Sequence, residues 1–203
     1  MDVVNLFPVE FFEFTNTEID NNSIIEKLNK LSGPVRHGSV ISYLKPIHKL
    51  DEFTDLFLWF GQCLDEIKIK LQYDCDKFEI TNSWFNKALA GRGMHQNYHK
   101  HVMSFFSAVY YLTPGSPTVF EDPLTQRVQG QIEVLRRNYQ PFKHFDAVPG
   151  KLVIFPSWMY HQTPPHMLDF DRYIISFNSL PTGKINSIAG GDSQCYISIE
   201  EPK

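Results

Sequence analysis

The sequence predicts a mainly β chain with flanking helices, an α+β arrangement built on a barrel or a double-sheet jelly roll. Three observations predict this fold class. Short apolar segments separated by Pro and Gly turns fill the second half of the chain, as is typical of such folds. Two helical patterns come before these segments. Aromatic residues, which favour strands, are plentiful, with 17 Phe and 9 Tyr among 203 residues.

The composition indicates one globular domain. Hydrophobic residues make up 42% of the chain and charged residues 21%, and a chain of 203 residues is long enough to bury a core. Because no linker separates its halves, we expect a single domain over 1–203. Flanking helices are expected in about 17–75 and the β core in about 78–200. The net charge of −4 gives no global basic field for nucleic acid.

The sequence contains no pattern typical of export or of a membrane span. The first residues, MDVVNLFPVEFFEF, lack the basic start and long apolar run of a signal peptide. No stretch approaches the roughly 20 apolar residues of a membrane span. The cysteines are odd in number and not in CxxC spacing, which predicts free thiols in a reducing compartment. We therefore expect a cytoplasmic protein without a cysteine-based zinc site.

The first elements are predicted from apolar spacing. The segment VNLFPVEFFEF reads as one or two short strands broken at Pro8. The segment NTEIDNNSIIEKLNKL reads as a helix that ends at Gly33 and Pro34. A second helix is expected over about 51–71, where apolar residues recur at spacings of three and four. Both helices are expected to pack against a sheet.

The later segments read as short strands between turns. FFSAVYYL ends at the turn cluster TPGSP, and TVFEDP is closed by Pro123. GKLVIFP is bounded by Pro149 and Pro156, RYIISFNSLP follows it, and CYISIE is a further candidate. Strands of this length and spacing predict the two sheets of a jelly roll or a barrel, with the helices along one side.

Two histidines raise the question of a metal site. His99 and His101 stand two residues apart, so in a strand their side chains share one face while Lys100 points away. Two imidazoles on one face can bind one metal ion. His161 is the best candidate for a further ligand, because it lies just beyond the GKLVIFP strand in a loop that prolines stiffen.

An arginine opens the next strand. Arg172 precedes the apolar residues YIISFN, and a buried arginine is costly unless it is paired. Its planar guanidinium suits bidentate binding of a carboxylate, from the chain itself or from an anionic cosubstrate. If the strand that begins near His99 is unbroken, Tyr111 lies on the same face as His101. The Tyr111 hydroxyl could then bind the same carboxylate.

The ordered set of motifs HKHVMSFFSAVYYL, VFEDP, PGKLVIFPSWMYHQTPP and RYIISFN resembles the iron(II)- and 2-oxoglutarate-dependent oxygenases. The nearest branch has many phage and bacterial members and is related to prolyl 4-hydroxylases. The resemblance covers most of the chain, although the discriminating motifs fall in residues about 84–178. It implies a double-stranded β-helix, a distorted jelly roll similar to the cupins.

The resemblance also implies site residues and cofactors. His99 and His161 correspond to the first and the distal ligand of iron(II) in a facial triad. Arg172 corresponds to the residue that binds the far carboxylate of 2-oxoglutarate, with Tyr111 as its helper and Ser176 as a further candidate. The implied activity is hydroxylation of a substrate, a peptide or a small molecule, with O2 as the other reactant. The sequence shows neither the substrate nor the oligomeric state.

His101 is a departure, because the family usually has Asp or Glu at this position. Three interpretations stay open. His101 completes a three-histidine site that carries more positive charge than the usual triad; Asp122 supplies the carboxylate from the neighbouring strand; or the site binds a metal or ligand without iron chemistry. Asp122 also suits a simple turn before Pro123.

Two alternatives to a 2-oxoglutarate-dependent enzyme also remain. One is a cupin-like three-histidine oxygenase without 2-oxoglutarate, and the other is a non-catalytic jelly-roll binding module. The loop 113–150 would frame the mouth of the pocket. Its basic residues are expected in a solvated polar loop, with an acidic partner as the alternative: Arg127, Arg136, Arg137 and Lys143.

Overall fold

The computed structural model describes residues 8–37, 39–43, 45–124, 141–188 and 193–199. The helices are α1 (Asn21–Lys30) and α2 (Thr54–Leu71), with 3-10 turns at Ile47–Lys49 and Asp51–Phe53. The strands described are β1 (Phe12–Thr15), β2 (Val35–His37), β3 (Val40–Tyr43), β4 (Cys75–Ala88), β5 (Met94–His99), β6 (Phe106–Tyr111), β7 (Thr118–Glu121), β8 (Phe142–Phe145), β9 (Lys151–Pro156), β10 (His161–His166), β11 (Arg172–Ile185) and β12 (Cys195–Ile197).

The strands form two sheets, as the sequence predicts for a jelly roll. The larger sheet has the order β1-β9-β6-β11-β4-β3-β2, with β12 paired to β11. The smaller sheet has the order β5-β10-β7-β8. Together with the two helices this confirms the mainly β class with flanking helices. Within the described residues, no helix is both long enough and apolar enough to span a membrane.

Both helices lie close to their predicted positions. The Asp20 side chain caps α1 by accepting a hydrogen bond from the Ser23 amide at 3.1 Å, which satisfies one of the free amides of the first turn. Gln72 ends α2 in the left-handed conformation, as is common at helix ends. The buried face of α2 consists of residues three or four positions apart: Leu56, Phe57, Phe60, Cys63, Leu64 and Ile67.

The helices cover the outer face of the larger sheet. Phe60 of α2 is fully buried and its ring lies 5.4 Å from Tyr110 of β6 and 5.2 Å from Phe177 of β11. Side chains alternate across a strand, so the neighbouring residues Tyr111 and Ser176 face the other way, between the two sheets. The outer face therefore builds the core with the helices, whereas the inner face lines the space that holds the polar site.

Two sequence predictions about this region are wrong in detail. The strand expected from His99 to Tyr111 is interrupted: β5 ends at His99 in the smaller sheet and β6 begins at Phe106 in the larger one. Met103 lies between them with φ of 52°, a conformation that a strand cannot continue through. His161 opens β10 instead of lying in a loop. The prolines of HQTPPH are tolerated because the pairing of β10 with β5 is irregular there.

Candidate metal centre

Three histidines converge at the end of the smaller sheet. His99 is the last residue of β5, His161 is the first residue of β10, and the two are direct partners in the antiparallel register. His101 joins them from the segment after β5. One ring nitrogen from each histidine lies within 4.8 Å of the others, and the Nε2 atoms of His99 and His101 are 3.3 Å apart. The structure therefore brings together the three histidines selected from the sequence.

Backbone hydrogen bonds place His101 even though its strand is interrupted. The His101 amide donates to the Ser157 carbonyl at 3.0 Å, and the Ser157 amide donates to the Phe105 carbonyl at 3.0 Å. The Phe105 amide donates to Ser179 of β11 at 2.8 Å. The segment between β5 and β6 is thus tied to the end of β9 and to β11, which holds the His101 ring opposite His161.

Each ring is oriented by an acceptor at Nδ1. The Nδ1 atom of His99 contacts the Asn97 carbonyl at 2.6 Å, and that of His161 contacts the Met159 carbonyl at 3.0 Å. The Nδ1 atom of His101 contacts the Asn178 side-chain oxygen at 2.6 Å. Because these oxygens only accept, each Nδ1 carries the hydrogen and each Nε2 keeps its lone pair for a metal ion.

Burial keeps two of the rings neutral. Burial, and secondarily the neighbouring His99, lowers the pKa of His161 to about 3. Burial also lowers the pKa of His101, while its hydrogen bond to Asn178 partly offsets this effect. Neutral imidazole is the form that binds metal ions, so protons compete weakly for these two ligands at neutral pH.

The Asp122 carboxylate lies outside this group. Its Oδ1 atom accepts a hydrogen bond from the Leu124 amide at 2.8 Å, which is the turn geometry expected for an Asp at this place. Asp122 also lines two other cavities, beside Pro123 and Val9. Among the described residues, the candidate metal-binding group contains no carboxylate. The geometry therefore favours the three-histidine interpretation.

Arg172 lies on the inner face of β11 with only 2% of its surface exposed. Its Nε atom donates to the Ser116 carbonyl at 3.0 Å, and its guanidinium carbon lies 6.0 Å from the centre of the Tyr111 ring. The Nη2 atom is buried and has no hydrogen-bond partner among the described residues. Burial lowers the pKa of Arg172 to about 10, and Tyr111 partly offsets the effect.

No ion pair to Arg172 is present within the described ranges of the chain, and a buried cation without a partner is costly. A carboxylate delivered to Nη2 would compensate it. The donor set thus fits both implied groups: imidazole nitrogens suit iron(II), among other transition metals, and the guanidinium suits the far end of a dicarboxylate.

Tyr111 lies on β6 and does not share one unbroken strand with His101. Its hydroxyl donates to Thr118 Oγ1 at 2.7 Å, and its buried ring lies beside Arg172. The sequence analysis did not select Thr118. The alternation in TVF, with Phe120 in the core between the sheets, was the available signal that Thr118 also faces inward. Ser176 is 4% exposed on the same inner face.

Two cavities adjoin the histidines. A narrow inner cavity runs from the three histidines past Thr118, Thr163 and Ser176. An outer cavity of about 490 Å³ opens beside His99 and His101, and Trp84 lines both cavities. The inner cavity leads toward the hydroxyl pair of Tyr111 and Thr118, whereas the outer one leads to solvent.

The basic residues expected near the pocket mouth divide into two groups. Lys143 lies on β8 and lines a different cavity, with Phe11 and Met159. The other three lie outside the described residues: Arg127, Arg136 and Arg137.

Comparison with protein families gives one match. The family model described as "Putative 2OG-Fe(II) oxygenase" matches residues 82–178. That range contains the three histidines together with Tyr111, Arg172 and Ser176. No curated protein matches the chain significantly.

Solved structures share the fold at low sequence identity. The non-heme alpha-ketoglutarate-dependent epimerase SnoN from nogalamycin biosynthesis has a TM-score of 0.67 at 11% identity, over 93% of this chain and 89% of SnoN. HygX from Streptomyces hygroscopicus, with nickel and 2-oxoglutarate bound, has a TM-score of 0.58 at 12% identity, over 86% and 84%. A Pseudomonas putida prolyl-4-hydroxylase has a TM-score of 0.57 at 14% identity, over 86% and 94%.

Proposed function

We propose that this chain, which belongs to the iron(II)- and 2-oxoglutarate-dependent oxygenase superfamily, hydroxylates a substrate at a three-histidine iron site. In this proposal His99, His101 and His161 hold the metal ion through their Nε2 atoms. Arg172 binds the far carboxylate of 2-oxoglutarate, while Ser176 and the Tyr111–Thr118 pair border the cosubstrate. The superfamily supplies the reaction type and the cofactors; the assignment of residues is ours.

The observation that carries the proposal is the Nη2 atom of Arg172, which is buried on the inner face of the larger sheet and has no hydrogen-bond partner in the part of the chain that the structure describes. A metal site alone does not require a buried cation nearby. A metal site combined with a dicarboxylate does, because one carboxylate can bind the metal while the other compensates the guanidinium. The two features together favour 2-oxoglutarate over a cosubstrate-free reaction.

The overall reaction balances without any further reductant. One substrate C–H group, O2 and 2-oxoglutarate give a C–OH group, succinate and carbon dioxide. Iron(II), when bound, supplies the activation of O2. Arg172 orients the cosubstrate. Burial keeps the imidazoles of His101 and His161 neutral, and the hydrogen bonds at Nδ1 orient all three rings. The two sheets limit the access of water to the site.

The test is an anaerobic iron(II) titration with and without 2-oxoglutarate, followed by succinate measurement in air. We expect a weak visible absorption band only when iron(II) and 2-oxoglutarate are both present, and slow succinate release without substrate. Arg172→Gln is expected to lose both signals, whereas Arg36→Gln, an exposed arginine on β2, should keep them. Circular dichroism shows whether Arg172→Gln remains folded. Absence of 2-oxoglutarate binding by the unaltered chain would refute the proposal.

A second candidate follows from the absence of a carboxylate in the metal-binding group of the described residues. A cupin-like three-histidine oxygenase would use O2 without 2-oxoglutarate, and Arg172 would then bind a substrate carboxylate directly. Oxygen consumption that is independent of 2-oxoglutarate, with no visible band, would favour this candidate.

A further inference from the structure

We propose that the substrate is a small anionic molecule rich in hydroxyl or amide groups, bound in the outer cavity with its negative group on Lys100. The proposal rests on the proposed function, because it takes the cavity beside the histidines as the substrate site. It adds a class of substrate that neither the fold nor the family determines.

The size and position of the cavity favour a small molecule. Its volume of about 490 Å³ falls within the range of about 300–1,000 Å³ that is usual for small-molecule sites. It opens directly onto His99 and His101. The Trp84 ring lies 5.4 Å from the His101 ring and lines the cavity, so one flat apolar wall stands beside the metal ligands. A C–H group resting on that wall would be close to the site of reaction.

The charges around the cavity favour an anion. Among the described residues that line it, none is a carboxylate, and Lys100 is the one Lys or Arg. A cationic amine would therefore enter without a counter-ion. Within the described parts of the chain, Lys100 makes no ion pair; its ammonium lies 5.3 Å from the centre of the Tyr160 ring. The ammonium is thus available for a carboxylate or phosphate of a ligand.

The remaining polar groups favour a ligand with many hydrogen-bonding atoms. Asn86 lines both cavities and is 4% exposed, and its buried side-chain oxygen has no hydrogen-bond partner in the described parts of the chain. The side chains of Gln96 and Asn97 also line the cavity and form no hydrogen bond with the described protein. Carboxamides both donate and accept, so this lining matches hydroxyl and amide groups better than a hydrocarbon surface.

A peptide or protein substrate is the main rival. The exposed rings of Tyr98 and Tyr160 stack at 4.8 Å beside the opening and could support a chain. These rings already contact each other, however, and the Lys100 ammonium lies over the Tyr160 ring, whereas the unused hydrogen-bonding groups line the cavity. The small molecule is therefore the better match.

The experiment measures succinate formation by the iron(II)- and 2-oxoglutarate-loaded full chain above its rate without substrate. Four probe pools are compared. The anionic pool contains sugar acids, sugar phosphates, hydroxy acids and N-acyl amino acids. The neutral pool contains their amides and unphosphorylated sugars, the cationic pool contains amino sugars and amino acid amides, and the last pool contains blocked uncharged peptides. Separate sugar-acid and sugar-phosphate samples then distinguish carboxylate from phosphate as the recognised group.

The variants test the role of Lys100. Lys100→Gln is expected to raise the KM for the active anionic probe about tenfold, and Lys100→Glu should reduce its use further and favour the cationic pool. Lys30→Gln, an exposed lysine at the end of α1, is the matched control and should leave the KM unchanged. Circular dichroism melting curves establish that the Lys100 variants are folded.

The results of this experiment distinguish failure of the substrate proposal from failure of the proposed function. Stimulation confined to the anionic pool and weakened in Lys100→Gln supports the proposal. Stimulation by the neutral, cationic or peptide pool, stimulation unaffected by Lys100→Gln, or no stimulation by any pool overturns it. In each of these cases, substrate-independent succinate release that is lost in Arg172→Gln leaves the proposed function standing. If the unaltered chain releases no succinate without substrate, the proposed function itself is overturned.

Discussion

Two side chains, those of Asn178 and Ser107, contact the Nδ1 atom of His101, and Asn178 makes the shorter contact. The Asn178 side-chain oxygen accepts from His101 Nδ1 at 2.6 Å and from the Ser107 hydroxyl at 2.8 Å. His99 and His161 instead rely on backbone carbonyls that no substitution removes. Replacing Asn178 therefore changes the hydrogen bonding of one ligand while all three histidines are retained.

Replacing Asn178 with Leu is expected to weaken iron(II) binding about 10- to 100-fold, the usual effect of removing the partner of a metal-bound histidine. His101 could then turn its ring or change its tautomer. Anaerobic titration with iron(II) or cobalt(II) measures the effect. Asn82→Leu is the matched control, because Asn82 is the register partner of Asn178 on β4 and its side-chain oxygen accepts from the Ser83 amide and does not contact His101 among the described residues. Equal affinities for the two variants would show that Asn178 does not position His101.

Substitution separates His101 from Asp122 as the third ligand. Asp122→Asn should leave the iron(II) affinity unchanged, since Asn can form the same turn with the Leu124 amide. His101→Ala should reduce the affinity by more than the roughly 100-fold upper effect of a supporting residue, because a ligand itself is lost. The same titration checks both variants. The reverse order of affinities would move the third ligand to Asp122.

At the scale of elements, the turn between β6 and β7 supports Arg172. Gly115 has φ of 145°, and a Cβ atom there would meet Arg172 Cδ at 3.0 Å and His166 Cε1 at 3.2 Å. The guanidinium is thus enclosed between the turn and β10. A glycine is required at this position for both reasons: the backbone conformation and the close approach.

Gly115→Ala is expected to displace Arg172 and to raise the KM for 2-oxoglutarate about tenfold, equivalent to about 1.4 kcal/mol. Gly33→Ala is the control, because Gly33 also has a positive φ but no atom of the described residues lies within 4 Å of an added Cβ. In both variants alanine must adopt a positive φ, which is unfavourable for a residue with a Cβ atom, so both should lose some thermal stability. Only Gly115→Ala should lose affinity for the cosubstrate, and an unchanged KM would contradict the role given to this turn.

Local sequence patterns predicted the helices and about half of the described strands, because apolar periodicity and Pro or Gly boundaries are local properties. They failed where pairing partners decide the structure. The segment after His99 reads as a continuation of the strand, yet His101 leaves the ladder to bond the Ser157 carbonyl. Asn178 and Thr118 were missed because their partners are 77 and 7 residues away and become neighbours only through the two sheets.

At the scale of the whole molecule, one sheet serves both the core and the site. Its outer face packs on α2, and its inner face carries Arg172 and Ser176. We propose that the described residues unfold as one unit, because the same sheet packs on α2 and carries the site residues.

Phe60→Ala is expected to destabilise the fold by about 3–5 kcal/mol, because the ring is fully buried between α2 and the sheet. Urea denaturation followed by circular dichroism and by tryptophan fluorescence measures the change. Leu58→Ala on the exposed face of α2, where the side chain is 61% exposed, should change stability by no more than about 0.5 kcal/mol. Two separated transitions in the unaltered chain would contradict a single cooperative unit.

Within the described residues, the three-histidine group contains no carboxylate, and under the proposed function this has a consequence for occupancy. Neutral imidazoles would leave a bound divalent ion with its full charge, which the dicarboxylate would neutralise. We therefore expect the metal ion and the dicarboxylate to raise each other's affinity by equal factors. The metal content of the chain is then expected to follow the supply of the dicarboxylate, so that its loading records how much cosubstrate is present.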